Sequence, residues 1–172
     1  MSEALRRNAL AQSHLIRDLL ELSRLRSGKL ILNSETVSIR TAIENAIETV
    51  RADARAKQIA IEIGGPDEPL LVEGDLLRLE QIIWNLLSNA VKFTPTNGKV
   101  SVRLRREDED VVLTVQDTGV GIDSEFLAHV FEMFRQGDAG TNREHSGLGI
   151  GLALVQQLVQ LHHVVVIIDW CQ

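Results

Sequence analysis

Two carboxamides stand four residues apart in the segment Asn85-Leu86-Leu87-Ser88-Asn89-Ala90-Val91-Lys92. On a helix this spacing puts Asn85 and Asn89 on one face, with Lys92 three residues further along. Carboxamide oxygens are hard, neutral ligands, able to hold a Mg2+ that already bridges phosphates without repelling those phosphates. The lysine can add a point charge to the same anion. The plain alternative is two asparagines on the wet face of an ordinary helix. A second segment, Asp117-Thr118-Gly119-Val120-Gly121-Ile122, follows directly on a strand pattern at Val111 to Val115. An aspartate at a strand end can accept the exocyclic amine of adenine, and the two glycines let the backbone come close to a base. Its alternative is a turn after a strand, since D-x-G-x-G is a loose pattern. A third segment, Gly147-Leu148-Gly149-Ile150-Gly151-Leu152, runs into a helix pattern. Glycines before a helix N-terminus expose N–H groups at a positive dipole end, which suits phosphate. The dinucleotide fingerprint needs a strand immediately before its glycines. An irregular polar stretch stands there instead, so that reading fails.

Between the last two segments lie Phe131-Glu132-Met133-Phe134-Arg135-Gln136 and then a polar, Gly-bearing loop from Gly137 to Ser146. A long loop between anchored ends reads as a lid over a ligand. Core packing is the simpler role for Phe131 and Phe134, and the two roles are compatible.

The elements that must position these residues follow from periodicity. Glu3 to Leu25 reads as one amphipathic helix, with Leu15, Leu19 and Leu22 on an apolar face and Ser27-Gly28 as its stop. Ser38 is the expected N-cap of a second helix carrying Ile39, Ile43, Ile47 and Val50. Ile59 to Ile63 reads as a strand, Leu70 to Val72 as a short one, and Asp75 to Lys92 as a long helix closed by Pro95 and Asn97-Gly98. Val100, Val102 and Leu104 alternate with polar residues, as do Val111, Leu113 and Val115, giving a β-hairpin turning at Glu107 to Asp110. A last helix covers Ile150 to Leu161. The order predicts an α+β fold, an α/β sandwich with a mixed sheet and helices on one face, preceded by a long N-terminal helix.

The 172 residues suffice for one domain and an appended element, and 44% are hydrophobic, which supports a real core. With four Phe, two Trp and no Tyr, that core must be aliphatic. A net charge of -6 argues against nucleic acid as a partner. One cysteine, Cys171, excludes an intrachain disulfide and fits a reducing compartment. The longest apolar run, Val164 to Ile168, is too short to cross a bilayer. The expected location is the cytoplasm, with any membrane anchor in a longer parent protein.

The order of LEQIIWNLLSNAVKFTP, DTGVGI, FEMFRQ and GLGIGLALV resembles the N, G1, F and G2 boxes of histidine kinase catalytic domains, over about residues 38 to 161. The front segment, HLIRDLLELSRLRSGKLIL, resembles the second helix of the dimerisation and phosphotransfer hairpin. The implied division is 1–30 for that helix and 31–172 for the catalytic ATP-binding domain. The resemblance implies Mg2+ ligation by Asn85 and Asn89 and a phosphate contact from Lys92. It gives Asp117 the adenine, with Gly119, Gly121 and Ile122 shaping that pocket. Phe131 and Phe134 would position the lid, while Gly147, Leu148, Gly149, Gly151 and Leu152 would lie on the phosphate side. Implied partners are ATP, a histidine phosphotransfer domain and, indirectly, a response regulator, with a homodimer in the parent protein.

The chain departs from the pattern in two places. No His followed by Glu or Asp and then Pro is present: His14, His129 and His145 read as surface or packing residues. After Leu161-His162 the family's two glycines and final strand have no counterpart in HVVVIIDWCQ, as expected of a truncation or frame change. Two rival readings accompany the kinase module. One is an ATPase of the same superfold, disfavoured because such enzymes carry a general-base Glu where Asn85 stands. The other is a non-catalytic regulator that pairs with an intact kinase through the N-terminal helix.

Overall fold

The computed structural model describes residues 16, 19, 20, 22–25, 27, 28, 30–135 and 149–162. They fall into two compact units, one over 32–122 and the other formed by the described residues before 32 and after 122.

The first unit runs β1 (Glu35–Ser38), α1 (Ile39–Ala56), β2 (Ala60–Gly64), β3 (Leu71–Gly74), α2 (Leu76–Phe93), β4 (Lys99–Glu107) and β5 (Asp110–Asp117). α1 buries Ile39, Ala42, Ile43, Ala46, Ile47, Val50 and Ala54, the three-and-four spacing of one helical face. Ser38 stands at its N-cap position, but its side chain makes no capping bond. The N–H of Ile39, the first helical residue, is met by a tertiary partner, the Leu70 carbonyl, at 3.1 Å. α2 buries Leu79, Ile82, Ile83, Asn85, Leu87, Ala90 and Val91. Asp75 caps it, accepting from the Arg78 N–H at 3.2 Å and, from the segment before β1, the Asn33 N–H at 3.0 Å.

β2, β4 and β5 form a mixed sheet: β2 runs parallel to β4, and β4 antiparallel to β5. The hairpin register sets Val102 opposite Val115 and Leu104 opposite Leu113, with Glu107 and Asp110 closing the turn. Val100, Val102 and Leu104 are buried, whereas Arg103 and Arg105, on the other face, are exposed. α1 and α2 pack against each other, α1 against β2, and α2 against β4 and β5. This is the mixed sheet covered by helices on one face that the sequence predicts. β1 and β3 form a separate antiparallel pair, with Val37 opposite Val72.

The second unit contains α3 (Ser124–Leu127) and α4 (Gly151–Leu161). Asp123 caps α3 through the Glu125 N–H at 2.8 Å. α4 buries Ala153, Leu154, Val155, Leu158 and Val159. Residues 16, 19, 20 and 22–25 are helical, and Gly28, at φ +64°, follows the last helical residues at the expected stop. Leu22 is buried, contrary to its expected place on an exposed face, while Ile16, Leu19 and Leu20 are exposed. Leu15 and the apolar run Val164 to Ile168 lie outside the described residues.

Candidate functional site

Asn85 is 7% exposed and shares burial with Thr94 alone among the described polar residues. Its amide nitrogen donates to the Gln81 carbonyl at 3.0 Å. Among the described residues no hydrogen bond reaches its oxygen. A buried carboxamide oxygen that accepts no hydrogen bond among the described residues is of a type that fits a hard cation. The alternative of a wet helix face fails for Asn85. Asn89, one turn on, is half-buried. No group of three or more His, Cys, Asp or Glu is placed to hold a metal among the described residues.

Lys92 occupies the last turn of α2, its ammonium 4.9 Å from the centre of the exposed Phe93 ring. Burial pushes its pKa below the ordinary lysine value. No carboxylate neutralises it among the described residues, so its charge is available to an anion.

Asp117 ends β5 and is exposed. Its Oδ1 accepts the Gly119 N–H at 2.7 Å, an Asx turn that fixes the carboxylate at the strand end. Gly119 is required by close approach: a Cβ there would lie 2.8 Å from the Phe93 carbonyl oxygen and 2.5 Å from Asp117 Oδ1. The Asp117 loop therefore rests directly on the end of α2, which carries both asparagines and Lys92. Thr118 holds the loop from its other side, donating its N–H to the Lys99 carbonyl at 3.0 Å and accepting the Lys99 N–H at 2.9 Å. Gly121 lies beyond with φ +72°, followed by the half-buried Ile122.

In the second unit the F and G2 segments meet through their backbones. The Phe134 N–H donates to the Gly149 carbonyl at 3.1 Å. A Cβ on Gly149 would sit 2.3 Å from the Arg135 carbonyl oxygen, and its φ of +67° also excludes most side chains. Phe131 is half-buried, while Phe134 is 59% exposed with φ +63°, so core packing does not explain it. Gly151 and Leu152 open α4. Gly147, Leu148, His14 and His145 lie outside the described residues. His129 Nδ1 lies 2.7 Å from Glu132 Oε1, and Arg135 Nε donates to Glu132 Oε2 at 3.0 Å. Foremost through the His129 hydrogen bond, the Glu132 carboxyl is held below the ordinary glutamate range.

Sequence reasoning missed Lys57, which follows α1 in a stretch without a motif. Its Nζ donates to the carbonyls of Val91, Lys92 and Thr94. It also missed Thr94, whose hydroxyl donates to the Ala90 carbonyl at 2.6 Å and ends α2 with Pro95. Neither role leaves a local signal, because both partners lie in tertiary structure or in one backbone group.

The first unit thus sets an Asp-Gly loop against the end of a helix that carries Asn85 and Asn89, beneath a mixed sheet. Residues 74–169 match the model of the histidine kinase-, DNA gyrase B- and HSP90-like ATPases. The chain is 34% identical over 191 residues to hybrid signal transduction histidine kinase D of Dictyostelium discoideum, covering 93% of this chain and 12% of that protein. It is 37% identical over 151 residues to the circadian input-output histidine kinase CikA of Thermosynechococcus vestitus, covering 87% and 21%. Among solved structures, a mycobacterial sensor histidine kinase, MprB, is 34% identical with a TM-score of 0.66, covering 76% of this chain and 80% of that one. Full-length ShkA in complex with AMPPNP is 33% identical with a TM-score of 0.78, covering 91% and 32%. This chain belongs to the histidine kinase-, DNA gyrase B- and HSP90-like ATPase family, as an ATP-binding domain of the two-component sensor kinase type. It spans 12% and 21% of the two full-length relatives just named.

Proposed function

We propose that this chain is the ATP- and Mg2+-binding catalytic module of a sensor histidine kinase, and that it transfers the γ-phosphate of ATP to a histidine of a phosphotransfer domain. The observation that carries this reading is the buried Asn85, its carboxamide oxygen without a donor among the described residues, on the helix against whose end the Asp117 loop is pressed. Asn85 and Asn89 present oxygens to the cation, and Mg2+ supplies neutralisation of the phosphate oxygens when bound. Lys92 adds its charge to the phosphates. Asp117 accepts the adenine amine with the oxygen that Gly119 leaves open, beside Gly121 and Ile122. By the family resemblance, Gly147, Leu148, Gly149, Gly151 and Leu152 are the residues proposed to contact phosphate, and Phe131 and Phe134 those proposed to act on the lid.

In the transfer a histidine ring nitrogen attacks the γ-phosphorus in line. A P–N bond forms, the P–O bond to the β-phosphate breaks, and ADP leaves with the electron pair. A carboxamide is not a base. Asn85 therefore cannot take a proton from water, which favours transfer over hydrolysis. We infer further that the parent protein is a cytoplasmic-facing homodimer that passes phosphate to a response regulator. The domain division at 30/31 belongs to the same reading. Among the described residues no helix is long and apolar enough to cross a membrane.

Calorimetric titration with ATP, with and without Mg2+, tests the site. Saturable binding that requires Mg2+ and weakens about tenfold or more in Asn89→Ala is the expected result, a change of about 1.4 kcal/mol. No binding by the folded chain overturns the reading. Steady phosphate release in the absence of a histidine acceptor would favour the ATPase alternative.

A further inference from the structure

The ammonium of Lys57 has three N–H donors, and all three are used on one short stretch of backbone. Nζ lies 2.9 Å from the Val91 carbonyl oxygen, 2.7 Å from that of Lys92 and 3.1 Å from that of Thr94. The last carbonyls of a helix have no partner within it and form the negative end of its dipole, so a half-buried cation there is doubly favoured. The residue's own backbone is engaged as well. Its N–H donates to the Asp53 carbonyl of α1, and its carbonyl accepts the Asn97 N–H at 3.0 Å. One residue thus ties the end of α1, the end of α2 and the 95–98 turn together.

The peptide units it grips also serve the nucleotide site. Lys92 belongs to them, and the Phe93 carbonyl between them is the surface against which Gly119 is pressed. A displacement of the last turn of α2 would move Lys92 and tilt the Asp117 loop relative to Asn85 and Asn89. We propose that Lys57 is a positioning residue for nucleotide binding, holding the asparagine helix and the aspartate loop in mutual register; this rests on the nucleotide-binding reading above. Lys57 touches no ligand. It acts through the carbonyls of residues 91–94.

The test compares the unsubstituted chain with Lys57→Met, Lys57→Arg and, as a core-truncation control on the buried face of α1, Ile47→Val. Binding of Mg-ATP and the urea midpoint are measured for each. Lys57→Met is expected to weaken binding by about tenfold, since charge-assisted hydrogen bonds that order the site are lost. Lys57→Arg, which keeps N–H donors, restores affinity to within about threefold. Ile47→Val loses stability but keeps the affinity of the unsubstituted chain, separating positioning from mere stability. Affinity in Lys57→Met equal to that of the unsubstituted chain overturns this proposal and leaves the nucleotide site standing. Failure of the unsubstituted chain to bind overturns both. Should Lys57→Met not fold, linkage supplies the second arm: if the clamp strengthens nucleotide binding, nucleotide must strengthen the clamp. Saturating Mg-ATP should then slow acetylation of Lys57 in the unsubstituted chain, followed by mass spectrometry, relative to the exposed Lys99. An unchanged Lys57 rate under saturation overturns the proposal.

Discussion

Lys92 is half-buried with no carboxylate partner among the described residues, and burial lowers its pKa. A lysine in that state opposes folding of the empty protein. For a group whose folded pKa lies below its unfolded value, the penalty is present while the group is charged and fades as pH rises through the folded pKa. The bound phosphate removes it by supplying the missing negative charge. Lys92→Met should therefore weaken Mg-ATP binding about tenfold or more while leaving the thermal midpoint of the unliganded chain unchanged or higher. Calorimetry and differential scanning on the same preparation check both halves. A fall in midpoint of several degrees together with unchanged affinity would show a structural lysine instead. The same reasoning separates Asn85 from the other polar residues of α2. A carboxamide was readable from the sequence, but its burial and its uncapped oxygen were not, since these depend on how α1 and the sheet close over the helix.

At the level of elements, the segment 129–135 carries a local ion cluster of His129, Glu132 and Arg135. The Glu132 carboxyl is lowered chiefly by the hydrogen bond with His129. A carboxyl whose folded pKa is depressed contributes stability that is complete above its unfolded pKa and is lost as pH falls through the folded one. Acid should thus loosen this segment below the ordinary glutamate value of 4.5, and Glu132→Gln should flatten that limb. Hydrogen exchange at the 129–135 amides, measured across the acid range, would reveal it. A profile that is the same in both proteins would dismiss the cluster as decoration. Elements differed in how legible they were. α2 and the β4–β5 hairpin could be read to within a residue or two, because a long apolar stripe and a strict alternation leave little choice of period. β1 could not: of Glu35, Thr36, Val37 and Ser38 only Val37 is buried, and four residues with one apolar side chain carry no period. Ser38 looked like a cap by type, yet its side chain makes no capping bond, and the Leu70 carbonyl, more than thirty positions away along the chain, holds the first helical N–H. Lys57 was invisible for the same reason.

For the whole molecule, the mixed sheet and the helices on it follow the predicted architecture because strand and helix periods agree with the turn signals between them. What periodicity could not settle is which side of the N-terminal helix is spare. Leu22 is taken up, whereas Ile16, Leu19 and Leu20 stand 59%, 42% and 58% exposed. Three large aliphatic side chains on one short stretch of helix favour a second copy of the chain as their cover. Light scattering coupled to size exclusion should find a dimer whose formation does not depend on nucleotide, and joint substitution of the three by Ser should convert it to monomer. A monomer at high concentration before any substitution would count against pairing through this helix.

The Phe134–Gly149 hydrogen bond holds together two points of the chain that are well apart in sequence. Closing a loop costs an entropy that grows only as the logarithm of its length, about 0.6 kcal/mol per doubling. With those two points already joined, that small increment is nearly all a longer insert adds, and neither flanking segment is pulled out of place. A reporter or a recognition tag inserted in the sequence between Phe134 and Gly149 should therefore leave both flanking segments where they are.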